Sequence, residues 1–539
     1  MIENEDKVKA DSFLKRYKAV KNKRANWDEH WRDVARYVIP NKENVFDHKT
    51  RSTGDKKRLR LYDSSASHYN ELLASALHSM LTNPSVQWFE LTSGDRELDK
   101  DVKVRGYLQT VVRKIHQVLN NTNFQTEIHE LYLDLGSFGT GAMLIEEDEN
   151  NVINFSSRPI YQFYIEENFQ SEVDTFYIEL QLNGRQLQQK YDDKLLGEDL
   201  IKKIMKSPEE KHSVVMIVMP NEEFDGSKKL DSAKGKPFKS VHIHEKSRRI
   251  VKEGGFDEFP AVFPRWMKDS METYGRSPAM KALPEIKMVN AMMRTIIRAA
   301  QKMVDPPLMI PDDSFLNFNT KPGGLNPYRT GTQDRVYPIE IKGQIGIGME
   351  ILRDTRDRIK ESFFIDQLQL REGPQMTATE VNVRTDEHLR LLGPILGRLH
   401  FELLQPLIVR IIGIMKRNGE MPEGMPEALG GKTPQVYYSS QIARAQRISE
   451  GQNWNRFLQS IAGLAEGMPE IMDNINPDGV VEYLAGVYGA PSDTMLESKE
   501  VEKLRADRQQ AQEQERKAMM DQQQAETQKT QAQAILPQV

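Results

Sequence analysis

A helix bounded by prolines sets the strongest constraint on this chain. The stretch Tyr274–Ile310 reads YGRSPAMKALPEIKMVNAMMRTIIRAAQKMVDPPLMI. It opens with a turn at Gly275–Pro278 and then carries a helical pattern over 279–304. Pro284 falls early, where a proline costs least. Asp305-Pro306-Pro307 ends the helix, because proline cannot continue it and disfavours helical dihedrals in the residue before it. The span Lys281–Met303 corresponds to roughly 34 Å at 1.5 Å per residue. Ile286, Val289, Met293, Ile297 and Ala300 form one apolar stripe. Lys287, Arg294, Arg298 and Lys302 share another face. A helix with one apolar and one basic stripe suits a ring of tilted helices around an anion.

A second helix is expected from about Gly348 to Asp366. Ile351, Leu352, Thr355 and Ile359 lie on one side, and Arg353, Arg356 and Lys360 on another. Between the two helices runs a stretch rich in Pro, Gly and Asn, which makes them an antiparallel pair with a small insert at one end. Gly373-Pro374 then breaks the pattern. Thr377 with Glu380 forms a capping box for a further helix that reaches about Arg417, bent at Gly393-Pro394 and Pro406.

Upstream, 12–39 reads as an amphipathic helix with Trp27, Trp31, Val34 and Val38 on one face, stopped by Pro40. Its aromatic pair is assigned to the core. The segment 41–60 is a polar, basic surface loop. Three more helical patterns follow, and GSFGTGAMLIEED (136–148) turns from helix into strand. Residues 152–265 alternate as strands, clearest at Val214–Met219 and Val241–His244. The fold class is therefore α+β and mainly helical. Residues 440–493 hold short helices with Trp454, Phe457 and Tyr483. From about residue 494 the chain turns to Gln, Glu, Lys, Arg and Ala, with high helix propensity and almost no apolar stripe. Two readings stay open for this tail: a solvated, fraying helix, or one that is stable only when several copies cluster.

The chain has 539 residues, no cysteine and a net charge of −5. The absence of cysteine excludes disulfides, thiolate zinc sites and cysteine nucleophiles, and it fits synthesis in a reducing cytoplasm. No apolar run approaches 18 residues, so no membrane span is expected. The acidic balance disfavours a tight nucleic-acid binder but suits a conduit, where each neutralised phosphate would slow sliding. Gly431-Lys432-Thr433 imitates the end of a phosphate loop. Pro426 stands where that loop needs glycine, and Pro434 follows at once, so it is rejected. Gly136, Gly139 and Gly141 precede a strand rather than a helix and do not form a dinucleotide fingerprint. His242 and His244 alternate on a strand and are read as surface residues, with no third ligand to make a metal site. No catalytic, cofactor or metal residues are assigned.

In their order, RYVIP, LLASALHSMLTNPSVQWFEL, GSFGTGAMLIEED, YGRSP, DPPLMI and MTATEV resemble the landmarks of the portal (head-to-tail connector) family of short-tailed bacteriophages, over nearly the whole chain. The resemblance implies a portal fold assembling as a ring. Residues 1–275 would be the wing, 276–304 and 347–366 the stem helices and 305–346 the clip. Residues 367–378 would be the tunnel loop, 379–439 a wing helix and loop, 440–493 the crown and 494–539 the tail. It implies no enzymatic activity, a homo-oligomer, usually a dodecamer, at one vertex of the virion capsid, and synthesis in the bacterial host cytoplasm. The implied partners are double-stranded DNA passing through, terminase, a tail adaptor, and capsid and scaffolding proteins, with no membrane. In such a ring Lys287, Arg294, Arg298, Arg353, Arg356, Lys360 and Arg371 are candidates to line the DNA channel. Salt bridges to Asp354, Asp357 or Glu361 on adjacent helices are the competing use for the same cations. The other classes to weigh are a DNA-processing enzyme such as a terminase subunit, and a scaffold protein that forms no ring.

Overall fold

The computed structural model describes residues 2–45, 61–95, 97–148, 151–224, 235–306, 308–309, 337–338, 345–368, 392–430, 434–438, 441–465, 474–488, 496 and 498–534. Arg371, the Thr377 capping box, the Gly431-Lys432-Thr433 imitation and most of the insert 305–346 lie outside them. The chain divides into two compact units: residues 1–86 with 115–420, and 87–114 with 421–539.

The first unit begins with two helices where one was expected, α1 (Ile2–Lys23) and α2 (Ala25–Tyr37). The break at Arg24 has a cause. Its buried guanidinium leaves the helix to donate to the Ile160 carbonyl at 2.8 Å and to the Phe163 carbonyl. Ala10, Leu14 and Tyr17, spaced four and three apart, put one face of α1 onto a sheet.

That sheet is antiparallel and five-stranded, in the order β4 (Phe163–Glu167), β5 (Val173–Asn183), β6 (Lys211–Pro220), β7 (Phe238–His244), β8 (Arg249–Phe256). Tyr177 lies opposite Ile217, and Ile217 opposite Val241, so the α1 side is apolar across three strands. The other side is covered as well. Phe259 and Phe263 sit edge-on and tilted against Phe176. Leu187 of α6 (Gly184–Lys190) and Leu196 of α7 (Asp193–Leu196) are buried. So are Leu200 and Ile204 of α8 (Glu198–Lys206). Covering both faces corrects the reading of His242 and His244: they are 4% and 2% exposed. His242 Nδ1 is 2.9 Å from the Tyr191 hydroxyl, and His244 Nε2 is 3.3 Å from His212 Nδ1. Burial, reinforced by Lys190 and Lys252, lowers His242 to about 3. Burial with His212 and Lys246 lowers His244 to about 4.

Helix α3 (Ser65–Leu81) packs on α5 (Phe124–Phe138). Gly139 closes α5 in the left-handed conformation, φ 76°, with its N–H on the Leu135 carbonyl. The chain then enters β2 (Met143–Asp148), which pairs with β3 (Val152–Ser157) and β9 (Ala261–Val262). Two sequence landmarks meet at this turn. The Trp266 N–H donates to the Gly139 carbonyl at 2.9 Å and the Gly275 N–H to Thr140 Oγ1 at 2.8 Å. The Ser277 hydroxyl donates to the Ser137 carbonyl at 2.6 Å. A Cβ on Gly139 would stand 2.4 Å from the Gly275 carbonyl oxygen, and one on Gly275 2.3 Å from that of Gly139. Tyr274 is buried against Trp31, ring centroids 5.2 Å apart, and its hydroxyl accepts from the Ile165 N–H.

The second unit pairs β1 (Phe89–Thr92) antiparallel with β12 (Gln435–Tyr438). It also contains residues 102–114 of α4 (Val102–Asn121). Its other long helices, among the described residues, are α14 (Gln441–Ala465), α15 (Pro477–Tyr488) and α16 (Ser498–Ala534). Trp454 of α14 rests on Tyr483 of α15, centroids 5.8 Å apart. Arg505 of α16 pairs with Asp478 at 2.5 Å.

Candidate functional site on the long helical pair

The site is built from two helices. Ser277 caps α9 (Pro278–Lys281) by accepting from the Met280 N–H, and Pro278 takes the first helical position. Helix α10 (Leu283–Val304) follows, with Pro284 in its first turn and its end at Asp305, as the sequence requires. Two short strands, β10 (Leu308–Met309) and β11 (Tyr337–Pro338), pair antiparallel beyond it. Helix α11 (Ile345–Ser362) returns along α10 and leads into α12 (Ile365–Leu368). Ile296 marks the level of Gly348, where an added Cβ would stand 3.6 Å from its Cδ1.

The apolar stripe of α10 is buried only near its start. Ile286 and Val289 are 4% and 1% exposed, whereas Ile297 and Met303 are 38% and 43% exposed. On α11, Leu352, Thr355 and Ile359 are buried, but Ile347, Met349 and Ile351, toward the insert, are exposed. The end of the pair near the insert thus keeps large apolar side chains in solvent.

The predicted channel cations separate into two groups. Three are engaged within the chain: Lys287 with Asp33 at 2.7 Å, Lys360 with Asp366 at 2.6 Å, and Arg356 with Asp63 through its Nε at 3.0 Å. Asp63 is itself 6% exposed at its side chain, so its pair with Arg356 fastens α11 to the segment before α3. Arg294 is exposed, with its guanidinium 5.8 Å from the centre of the Tyr62 ring. Arg298 and Arg353 are exposed and, among the described residues, carry no ion pair. Tyr69 nearby is pushed up by burial, against the pull of Lys360 and Arg356.

Sequence reading missed the buried arginine that ties the segment before this pair to Glu167 and Glu402. Arg265 is 2% exposed. It donates from its backbone N–H, Nε and Nη2 to Glu402, at 2.9, 3.1 and 2.7 Å, and from Nη1 to Glu167. Its Nη1 also reaches the Thr273 carbonyl at 3.1 Å and its Nη2 the Ser171 carbonyl at 3.2 Å. Burial works against the charge, but the two carboxylates outweigh it and raise the guanidinium's pKa. Glu402 comes from α13, helical over 392–399, π-helical over His400–Leu404 and α-helical again over Gln405–Arg417. The one signal in the sequence was a lone arginine in the apolar run FPAVFPRW. Arg410 anchors the far end of α13 from a buried position, 2.7 Å from Glu258.

Among the described residues no group of three metal-ligating side chains forms, and no helix is long and apolar enough to cross a membrane. The chain is 28% identical to a protein named "Probable portal protein" of Bordetella phage BPP-1, over 93% of this chain and 92% of that one. It is equally identical to the "Portal protein" of Salmonella phage epsilon15, over 94% of this chain and 93% of the other. Among solved structures, a chain in the neck of an empty GTA particle aligns over 79% of this chain and 94% of its own length, at 9% identity and a TM-score of 0.33. Residues 10–496 match the family described as bacteriophage head to tail connecting protein, and the chain belongs to that family.

Proposed function

We propose that this chain is the repeating unit of a portal: a closed ring at one capsid vertex through which double-stranded DNA enters the head and later leaves it. The observation that carries the reading, beside family membership, is the end of the α10–α11 pair near the insert. Ile297, Met303, Val304, Ile347, Met349 and Ile351 are all exposed there. Large apolar side chains left in solvent at one end of a helical pair point to an assembly surface. In a ring each copy covers its neighbour. Residues 276–304 and 347–366 are then the stem, 305–346 the clip, 367–378 the tunnel loop, and 440–493 the crown. The wing comprises 1–275 and 379–439. The clip, rich in Pro and Gly, is assigned to the changing partners, terminase during packaging and a tail adaptor afterwards. Capsid and scaffolding proteins surround the wing. The role is that of a conduit and docking ring rather than an enzyme.

Electron microscopy of the purified chain, with particle mass by light scattering, tests this. Rings with an axial hole and the mass of roughly twelve 62.1-kDa chains are expected. Monodisperse 62.1-kDa particles that stay monomeric with capsid and scaffolding protein added would overturn the reading. Nucleotide hydrolysis by the isolated chain would favour a terminase-like enzyme instead.

DNA contact is assigned to Arg353, which carries no ion pair among the described residues, and to Arg371 of the proposed tunnel loop. Replacing both by Ala should leave ring mass unchanged and alter how packaged DNA is retained. Loss of rings in that variant would show these arginines to be interface residues.

A further inference from the structure

The two helices of the pair carry opposite charges on their outer sides. At 3.6 residues per turn, Lys287, Arg294, Arg298 and Lys302 fall within a sector of about 80° on α10, centred opposite the apolar side that faces α11. On α11, Glu350, Asp354, Asp357 and Glu361 fall within about 60°, again opposite the buried line of Leu352, Thr355 and Ile359. Arg294, Arg298 and Lys302 are exposed, as are all four acids. Lys287 is held by Asp33, and Asp354 is paired with Arg358 four residues on. The others carry no ion pair among the described residues. The pair is therefore a slab with a basic edge and an acidic edge.

We infer that the basic edge of α10 docks on the acidic edge of α11 in the next copy, so that one surface pair closes the ring. This rests on the portal reading above. The charge pattern selects a second copy as occupant: an edge of either sign alone would repel itself, and the two signs sit on different helices. Such contact is heterologous, as a ring of more than two copies requires. The register agrees. With Ile296 level with Gly348, counting along the antiparallel pair puts Arg294 level with Glu350, the rung at which both side chains are exposed and carry no ion pair among the described residues; Asp357 falls level with Lys287, which Asp33 already holds. Rotation about a ring axis keeps those levels in the neighbour when the helices run close to that axis. Single exposed pairs contribute little, but a ladder of them repeated around a ring sets partner and register. The exposed Ile297 and Ile351 flank the two charged stripes and would be covered by the same contact.

Two variants test this: Arg294→Glu/Arg298→Glu and Glu350→Arg/Asp357→Arg. All four side chains are exposed, so circular dichroism should match the wild type. Each variant alone should lose at least tenfold in ring yield at low salt. Mixing the two should restore rings with an even number of copies, because each acid-edged chain now needs a base-edged neighbour. Wild-type yield from either variant alone, or no rings from the mixture of two folded variants, overturns the interface and leaves the portal reading standing. Failure of the wild type to form rings under any condition overturns both. As a second measurement, Arg294→Cys/Glu350→Cys in this cysteine-free chain should oxidise to a ladder of covalent oligomers within assembled rings. Rings without that ladder also overturn the assignment.

Discussion

Two glycines far apart in sequence, Gly139 and Gly275, stand back to back, each leaving no room for a Cβ on the other. The contact fixes the turn from which α10 departs. Gly275→Ala forces backbone apart and should destabilise the first unit by about 2–4 kcal/mol, measured by denaturant unfolding. Stability within about 0.5 kcal/mol of wild type would show that the turn can relax. The buried histidines give the second residue-scale prediction. In the unfolded chain His242 and His244 titrate near the ordinary 6.5; in the fold they are held down to about 3 and about 4. The unfolded state therefore binds more protons between those values. Stability is full above about pH 7 and falls as pH drops from about 6.5 toward 4, each histidine costing about 2 kcal/mol at pH 5. Melting temperature measured from about pH 7.5 to 5 should fall on this slope. The double variant His242→Gln/His244→Gln should flatten it.

At the scale of elements, periodicity and proline punctuation were enough to place α10, which is amphipathic and sharply ended; periodicity also located α11, but the helix expected to reach Asp366 stops at Ser362, where Phe364 turns to φ 59° before α12. The same signals located β6 and β7, but alternation alone does not say whether a sheet is covered on one face or two. That is why His242 and His244 read as surface residues. The break at Arg24 was illegible for a related reason: it depends on carbonyls of residues 160 and 163, which no local pattern announces. Of the candidate site, the residue types and their helical phase were legible. That Lys287 and Arg356 were already engaged was not, since Asp33 and Asp63 lie more than two hundred residues away in the chain. Arg265 needed two distant segments, 167–171 and the one bearing Glu402, to acquire its meaning.

For the whole molecule, α16 is a 37-residue helix whose Leu504, Met519 and Met520 are exposed. With so few apolar residues it is expected to be dispensable for the ring proposed above. Truncation after Glu500 should leave ring mass, corrected for the deletion, unchanged by light scattering. Loss of rings would make the tail a clustering element. The π-helical turn of α13 bears on the molecule in another way. Such a turn is an α-helix holding one residue too many, so the stretch before it is rotated by about one residue relative to the stretch after. Glu402 sits inside that turn and receives three hydrogen bonds from Arg265, while Arg410 pins the stretch after it. The extra residue therefore works as a detent. Residues 392–399 cannot turn against the stretch after them without breaking the Glu402 contacts together.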